Sequence, residues 1–139
     1  RKNIYEQKEN RQMSVKVFEN MLSNMLYEHR FGPFFVSTII AGLHTDKNGV
    51  TKPYISGTDL IGATGNPEDF ITAGNGSDQL MGICEALWRP KMSPDELFEC
   101  ISQSILNAAD RDAKSGWGVT VYIVEKDQVT KKVVKQRMD

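Results

Sequence analysis

Residues 34–60 read FFVSTIIAGLHTDKNGVTKPYISGTDL, and they separate an antiparallel sheet from a parallel one. Phe34 to His44 is rich in Phe, Val, Thr and Ile, which predicts a strand. Lys47-Asn48-Gly49 then supplies turn chemistry, because Asn-Gly tolerates the positive φ of a tight hairpin. Tyr54 to Leu60 is the return strand. Strands joined by so short a link run antiparallel. Gly57, inside the second strand, predicts a bulge or a close backbone approach.

On the N-terminal side, Ser14 is placed to cap a helix. Val15, Phe18, Met21, Leu22, Met25 and Leu26 follow at the spacing of one buried stripe, and Gly32-Pro33 closes the segment. Residues 1–12 are mostly charged and read as the tail of an exposed helix plus a loop. The chain opens on Arg1-Lys2-Asn3 without a Met, in a stretch already helical in character, so an N-terminal portion is expected to be missing.

On the C-terminal side, Gly62 to Pro67 reads as a loop, Phe70 to Ala73 as a short strand and Gly74-Asn75-Gly76 as a turn. Ser77 opens a helix with Leu80, Ile83, Cys84, Leu87 and Trp88 on one stripe, stopped by Pro90. Ser93-Pro94-Asp95-Glu96 is a start signal for another: Ser93 caps, Pro94 takes the first helical position and Glu96 closes a capping box. Leu97, Ile101, Ile105 and Ala108 are expected to share its inner face. Trp117 to Glu125 reads as a strand with Val119, Val121 and Ile123 on one side. Val129 to Val134 reads as its partner, and Lys131, Lys132 and Lys135 suit an exposed edge. Helices and strands fall in blocks, which predicts an α+β fold with antiparallel sheets.

A chain of 139 residues fits one domain, and a chain of this size buries roughly two-thirds of its unfolded surface. A net charge of −1 argues against a general nucleic-acid binder, which needs a basic stripe to displace counterions. No apolar run approaches the ~20 residues that cross a bilayer, so no membrane partner is expected, and no signal-peptide pattern opens the chain. Cys84 and Cys100 lie in apolar helical patterns, which favours reduced thiols in an intracellular compartment over a disulfide.

His29 and His44 stand apart, and His29 ends a helix, where a cation suits the dipole. The Gly74-Asn75-Gly76-Ser77 turn lacks the Lys of a phosphate-binding loop and reads as a plain turn into a helix. The informative stretch is Asp110-Arg111-Asp112-Ala113-Lys114-Ser115-Gly116-Trp117-Gly118. It sets two carboxylates, a guanidinium and a hydroxyl between a helix end and a strand. Such a junction orients a nucleophile or holds an ion, or it is a helix end with a local ion pair.

At these residues the chain resembles the proteasome beta subunits, and a non-catalytic kind among them. The resemblance is carried by Leu26-Tyr27-Glu28 with Arg30-Phe31-Gly32-Pro33-Phe34-Phe35-Val36, by Ile55-Ser56-Gly57 with Asp59-Leu60-Ile61-Gly62, and by Ser77-Asp78-Gln79-Leu80 with Cys84-Glu85. Leu106 to Ala113 and Ser115-Gly116-Trp117-Gly118 complete it. Asp-x-x-Ser-Gly is common to such subunits, whereas the Arg-Phe-Gly-Pro and Asp-Arg-Asp-Ala stretches point to the non-catalytic kind.

The resemblance implies the N-terminal-nucleophile hydrolase fold, a four-layer αββα sandwich of antiparallel sheets, here a single domain over 1–139 with the opening strands absent. It implies a structural subunit of the 20S core particle, partnered by other alpha and beta subunits in a stacked-ring hetero-oligomer of the cytoplasm and nucleus. Such a subunit serves ubiquitin-dependent and -independent protein degradation by building the chamber and shaping a neighbour's pocket. Asp112 and Ser115 match the pair that supports the nucleophilic threonine of active members, and Asn75 replaces the serine of their Gly-Ser-Gly turn, so no catalytic residue is expected. Asp59 is expected to border the substrate pocket of an adjacent active subunit, with Ala63 where the family tends to place a cysteine; the other reading is that Asp59 caps the turn into Gly62. No cofactor is required. The resemblance also implies a place for a structural Mg or Ca ion at Ala109, Asp112 and Ser115, completed by Asp139 of another subunit; the other reading is a closed helix cap with no ion. The alternatives are an active threonine-protease subunit whose nucleophile lies in the missing segment, and a stand-alone α+β binding module, which predicts a stable monomer.

Overall fold

The computed structural model describes residues 1–138. The chain divides into two compact units, Arg1–Glu68 and Asp69–Asp139.

The first unit holds helices α1 (Lys2–Glu9) and α2 (Val15–Glu28) and strands β1 (Thr38–Thr45), β2 (Thr51–Thr58) and β3 (Thr64–Gly65). Ser14 caps α2 as expected, its hydroxyl accepting from the Val17 amide. The hairpin is antiparallel, with Thr45 opposite Thr51 and Thr38 opposite Thr58. Its turn is not the two-residue Asn-Gly type. The Asp46 amide donates to Val50 O and the Gly49 amide to Asp46 O, so three residues form the loop. Gly49 takes a φ of 79°, the left-handed position that ends such a loop.

Three expectations change here. Phe34 to Ser37 lie outside the strand. Phe35 turns the chain at a φ of 53°, and the Phe34 ring packs 4.6 Å from that of His29, so the segment folds back along the helix end. Gly57 carries no bulge, because it pairs in register with Ile39 on one side and Gly65 on the other. The segment read as a loop contains β3, which extends the sheet in the order β1-β2-β3. Helix α2 packs on β1 and β2, and Leu26 and Ile40 are buried. The opposite sheet face, with Ile39 and Ala41, is exposed.

The second unit holds α3 (Ser77–Leu87), α4 (Pro94–Ala109), β4 (Val119–Val124) and β5 (Val129–Val134). The capping box at Ser93 and Glu96 is complete. Helices α3 and α4 pack together, and α4 lies on β4. Strands β4 and β5 pair antiparallel, Val119 opposite Val134 and Val124 opposite Val129. Val119 and Val121 are buried as expected. Phe70 to Ala73 is not a strand, since no partner pairs with it among the described residues. The inner face of α4 runs through Cys100, Ser104 and Ala108. Leu97, seven residues before Ser104 and so on the same stripe, is 41% exposed near the helix start, while Ile101 and Ile105 are half-buried. Lys132 is half-buried, with its ammonium 4.3 Å from the centre of the Phe98 ring, while Lys131 and Lys135 are exposed as expected. Cys84 and Cys100 are buried free thiols.

Candidate functional site

In the first unit, β2 ends at Thr58 and the chain turns through Asp59 to Ala63 before β3. Asp59 shapes this turn. Its Oδ1 accepts from the Ile61 amide at 3.0 Å and the Ala63 amide at 2.8 Å. Its backbone amide donates to Ala63 O and its carbonyl accepts from the Gly62 amide. The side chain is therefore a turn cap, and Oδ2 makes no hydrogen bond among the described residues. Asp59 and Ala63 are both exposed.

A close backbone approach occurs at Gly62. A Cβ at Gly62 would lie 2.3 Å from Ser23 O, and its φ is +87°. The Ser23 hydroxyl donates to Gly62 O at 2.6 Å. Only a residue without a side chain fits between helix and turn.

Sequence reasoning missed Glu19, which is buried in the same unit. Tyr54 and Ser56 donate their hydroxyls to its carboxylate. Asn66 Nδ2 donates to Oε1 at 3.0 Å and to the Tyr54 oxygen at 2.6 Å. Burial pushes the Glu19 carboxyl up, but the hydrogen bonds from Ser56, Tyr54 and Asn66 and the nearby Lys16 charge outweigh it and hold the group below its ordinary value. Burial and the Glu19 carboxylate together push the Tyr54 phenol up to about 12. The signal was present: Val15, Glu19, Leu22 and Leu26 share one helical stripe.

In the second unit, α4 ends at Ala109 and the chain turns through Asp110 to Gly118 into β4. Asp112 organises this junction. The Ser115 hydroxyl donates to its Oδ2 and the Lys114 amide to its Oδ1 at 3.1 Å. These two hydrogen bonds, the Ser115 one first, hold the carboxyl below the ordinary carboxylate range. The turn before α3 reaches the same place, since a Cβ at Gly76 would lie 3.6 Å from Asp112 Oδ2. The turn that holds Asn75 thus lies beside Asp112 and Ser115, and Asn75 itself is exposed. A cleft of about 380 Å³ opens beside them, lined among others by Ala109, Asp112, Ser115 and Arg137. Asp110 Oδ1 lies 3.9 Å from an Arg137 nitrogen.

The donors for a cation are mostly backbone. Among the described residues no group of three His, Cys, Asp or Glu side chains is placed to hold a metal. Ala109 O accepts from the Asp112 amide and Asp112 O from the Ser115 amide, and each carbonyl keeps a second lone pair. Asp139 lies outside the described residues.

Helices packed on antiparallel sheets, in blocks along the chain, define a mixed α/β protein that fits the N-terminal-nucleophile hydrolase type. The proteasome subunit family model matches residues 1–124, and the chain belongs to that family. It is 54% identical over 139 residues to a proteasome subunit beta type-3 of Drosophila melanogaster, covering 100% of this chain and 66% of that protein. A protein of the same description from Saccharomyces cerevisiae is 51% identical over 137 residues, covering 99% and 65%. One from Trypanosoma brucei brucei is 45% identical over 139 residues, covering 100% and 66%. The chain therefore spans just under two thirds of the length of these relatives.

Proposed function

We propose that this chain is a non-catalytic beta subunit of the 20S proteasome core particle, sitting among other alpha and beta subunits in stacked rings. The observation that carries the reading is the identity of 45–54% along the whole chain to proteins described as beta type-3 subunits. Its part in ubiquitin-dependent and -independent degradation, in cytoplasm and nucleus, is geometric: it builds the chamber wall. The Asp112–Ser115 pair is a support shell without a working site, with Asn75 in place of the serine of active members. The four-layer αββα sandwich of one domain over 1–139 belongs to this reading. Its support is that each unit carries helices on one sheet face and exposes apolar residues on the other, Ile39 in the first, Tyr122 and Val133 in the second.

The test is to tag the protein in its own cells and isolate what it travels with. Co-migration with a particle of peptidase activity, without labelling of this chain by an electrophile for N-terminal threonine, is expected. Labelling would establish the threonine-protease alternative, and migration as a monomer would establish a separate binding module.

The Asp59 turn is the part of the chain that acts on proteolysis. Oδ1 holds the turn while the exposed Oδ2 attracts a basic substrate side chain in a neighbour's pocket, and Ala63 leaves that wall less polarisable and roomier than a cysteine would. Asp59→Asn in the assembled particle lowers cleavage after Arg and Lys about two- to fivefold, the scale of an exposed ion pair, and leaves cleavage after apolar residues unchanged. An equal effect on all activities, or none, overturns the pocket role. A Mg or Ca ion at the oxygens of Ala109, Asp112 and Ser115, completed by Asp139 of another subunit, is the remaining proposal; metal analysis of the chelator-washed particle tests it.

A further inference from the structure

We infer that Ser23 is a positioning residue: its hydroxyl clamps the Asp59 turn onto α2 and thereby sets where the Asp59 carboxylate points. The inference rests on the pocket reading of Asp59. Ser23 is on α2, 39 residues from Gly62 in sequence, and its hydroxyl donates to Gly62 O at 2.6 Å. Gly62 is in turn part of the ring of bonds that Asp59 closes, through the Gly62 amide to Asp59 O. The same carboxylate that is to meet substrate spends Oδ1 on the amides either side of Gly62, those of Ile61 and Ala63. Anything that lets Gly62 drift from the helix moves those amides, and Oδ1 follows them.

The fit at this point is tight. Ser23 O stands where a Gly62 side chain would begin, at 2.3 Å. Gly62 is buried although its neighbours Ile61 and Ala63 are exposed. The turn is thus pinned at its middle while both flanks face outward. Pinning the centre of an exposed turn to a packed helix holds a functional group within the narrow geometry that recognition requires. Ser23 touches no substrate; it acts through Gly62 on Asp59.

The experiment compares assembled particles carrying Ser23→Ala, Ser23→Thr and Asp59→Asn. Ser23→Ala loses one hydrogen bond, and KM for substrates cleaved after Arg or Lys is expected to rise roughly two- to tenfold. Cleavage after apolar residues and kcat stay unchanged. Ser23→Thr, which keeps the hydroxyl, restores KM. Hydrogen exchange at the amides of Ile61 and Ala63 is expected to quicken in Ser23→Ala and not in Ser23→Thr. A selective effect of Asp59→Asn with none from Ser23→Ala overturns the positioning role and leaves the pocket reading standing. No effect from Asp59→Asn overturns the pocket reading, whereas the clamp is judged separately by exchange: unchanged exchange in Ser23→Ala overturns it.

Discussion

Glu19 is the residue on which the first unit most depends. It is 6% exposed, charged, and held by three polar side chains from β2 and the loop after β3. Glu19→Ala leaves the Tyr54 and Ser56 hydroxyls and the Asn66 amide without their acceptor, at a cost of about 2–4 kcal/mol. Chemical denaturation of the assembled particle, followed by exchange in β2, measures it. The carboxyl is held below its ordinary 4.5. Its stabilisation is therefore complete above the unfolded value and lost as pH falls through the lower folded value. Glu19→Gln should flatten the acid limb of stability below about pH 4.5. Tyr54 moves the other way: with its phenol pushed up to about 12, phenolate absorbance should show one tyrosine ionising last. Gly62→Ala, with a Cβ driven toward Ser23 O at a positive φ, should cost about 2–4 kcal/mol. Neither site was read in advance. The helical stripe marks Glu19 as inward-facing, but apolar periodicity is counted on apolar residues and passes over a carboxylate. Nothing local says that a serine on α2 meets a glycine 39 positions on.

Helix α4 shows how far local signals reach at the scale of one element. Its start was legible to the residue, because a capping box is written in four neighbours. Ser93→Ala should weaken the helix by about 1 kcal/mol, seen as faster exchange in its first turn with little change at Ala108. Its buried face is wider than the expected apolar stripe: Leu97, near the helix start, is 41% exposed, and Ser102 and Ser104 are buried. Ser104 donates to Cys100 O at 2.7 Å, so a serine there satisfies itself along the helix. The Ser102 hydroxyl has no partner among the described residues. Ser102→Ala should accordingly raise the melting temperature, by the equivalent of about 1 kcal/mol. The strands divide the same way. β4 and β5 followed from alternation and a turn, while β3 is two residues long and exists only because β2 offers an edge.

At the scale of the molecule, each sheet has one face against helices and one open. On the second sheet the open face carries Tyr122, Val124, Val129 and Val133, between 40% and 70% exposed. Phe31 and Phe35, at 90% and 82%, add aromatic surface after α2. Apolar surface of this extent marks an interface or an aggregation liability. The isolated 139-residue chain should therefore self-associate and give no cooperative monomeric unfolding transition; sedimentation with denaturant titration checks this. A well-behaved monomer would oppose an obligate subunit.

Period, caps and turn residues act over a few positions, and they were enough for helices α1 to α4, the β1–β2 and β4–β5 hairpins and the α+β class. The Asp112–Ser115 pair came from motif resemblance, not from these local signals. Motif resemblance extended this to the family. Tertiary structure decided what depends on distant partners: which serines of α4 are buried, where Phe34 leaves the sheet, and that Gly62 meets a backbone. It also decided that a glutamate is buried and charged. A side chain's burial and ionisation depend on groups that only folding brings beside it, and Tyr54, Ser56 and Asn66 stand 35 to 47 positions from Glu19 along the chain.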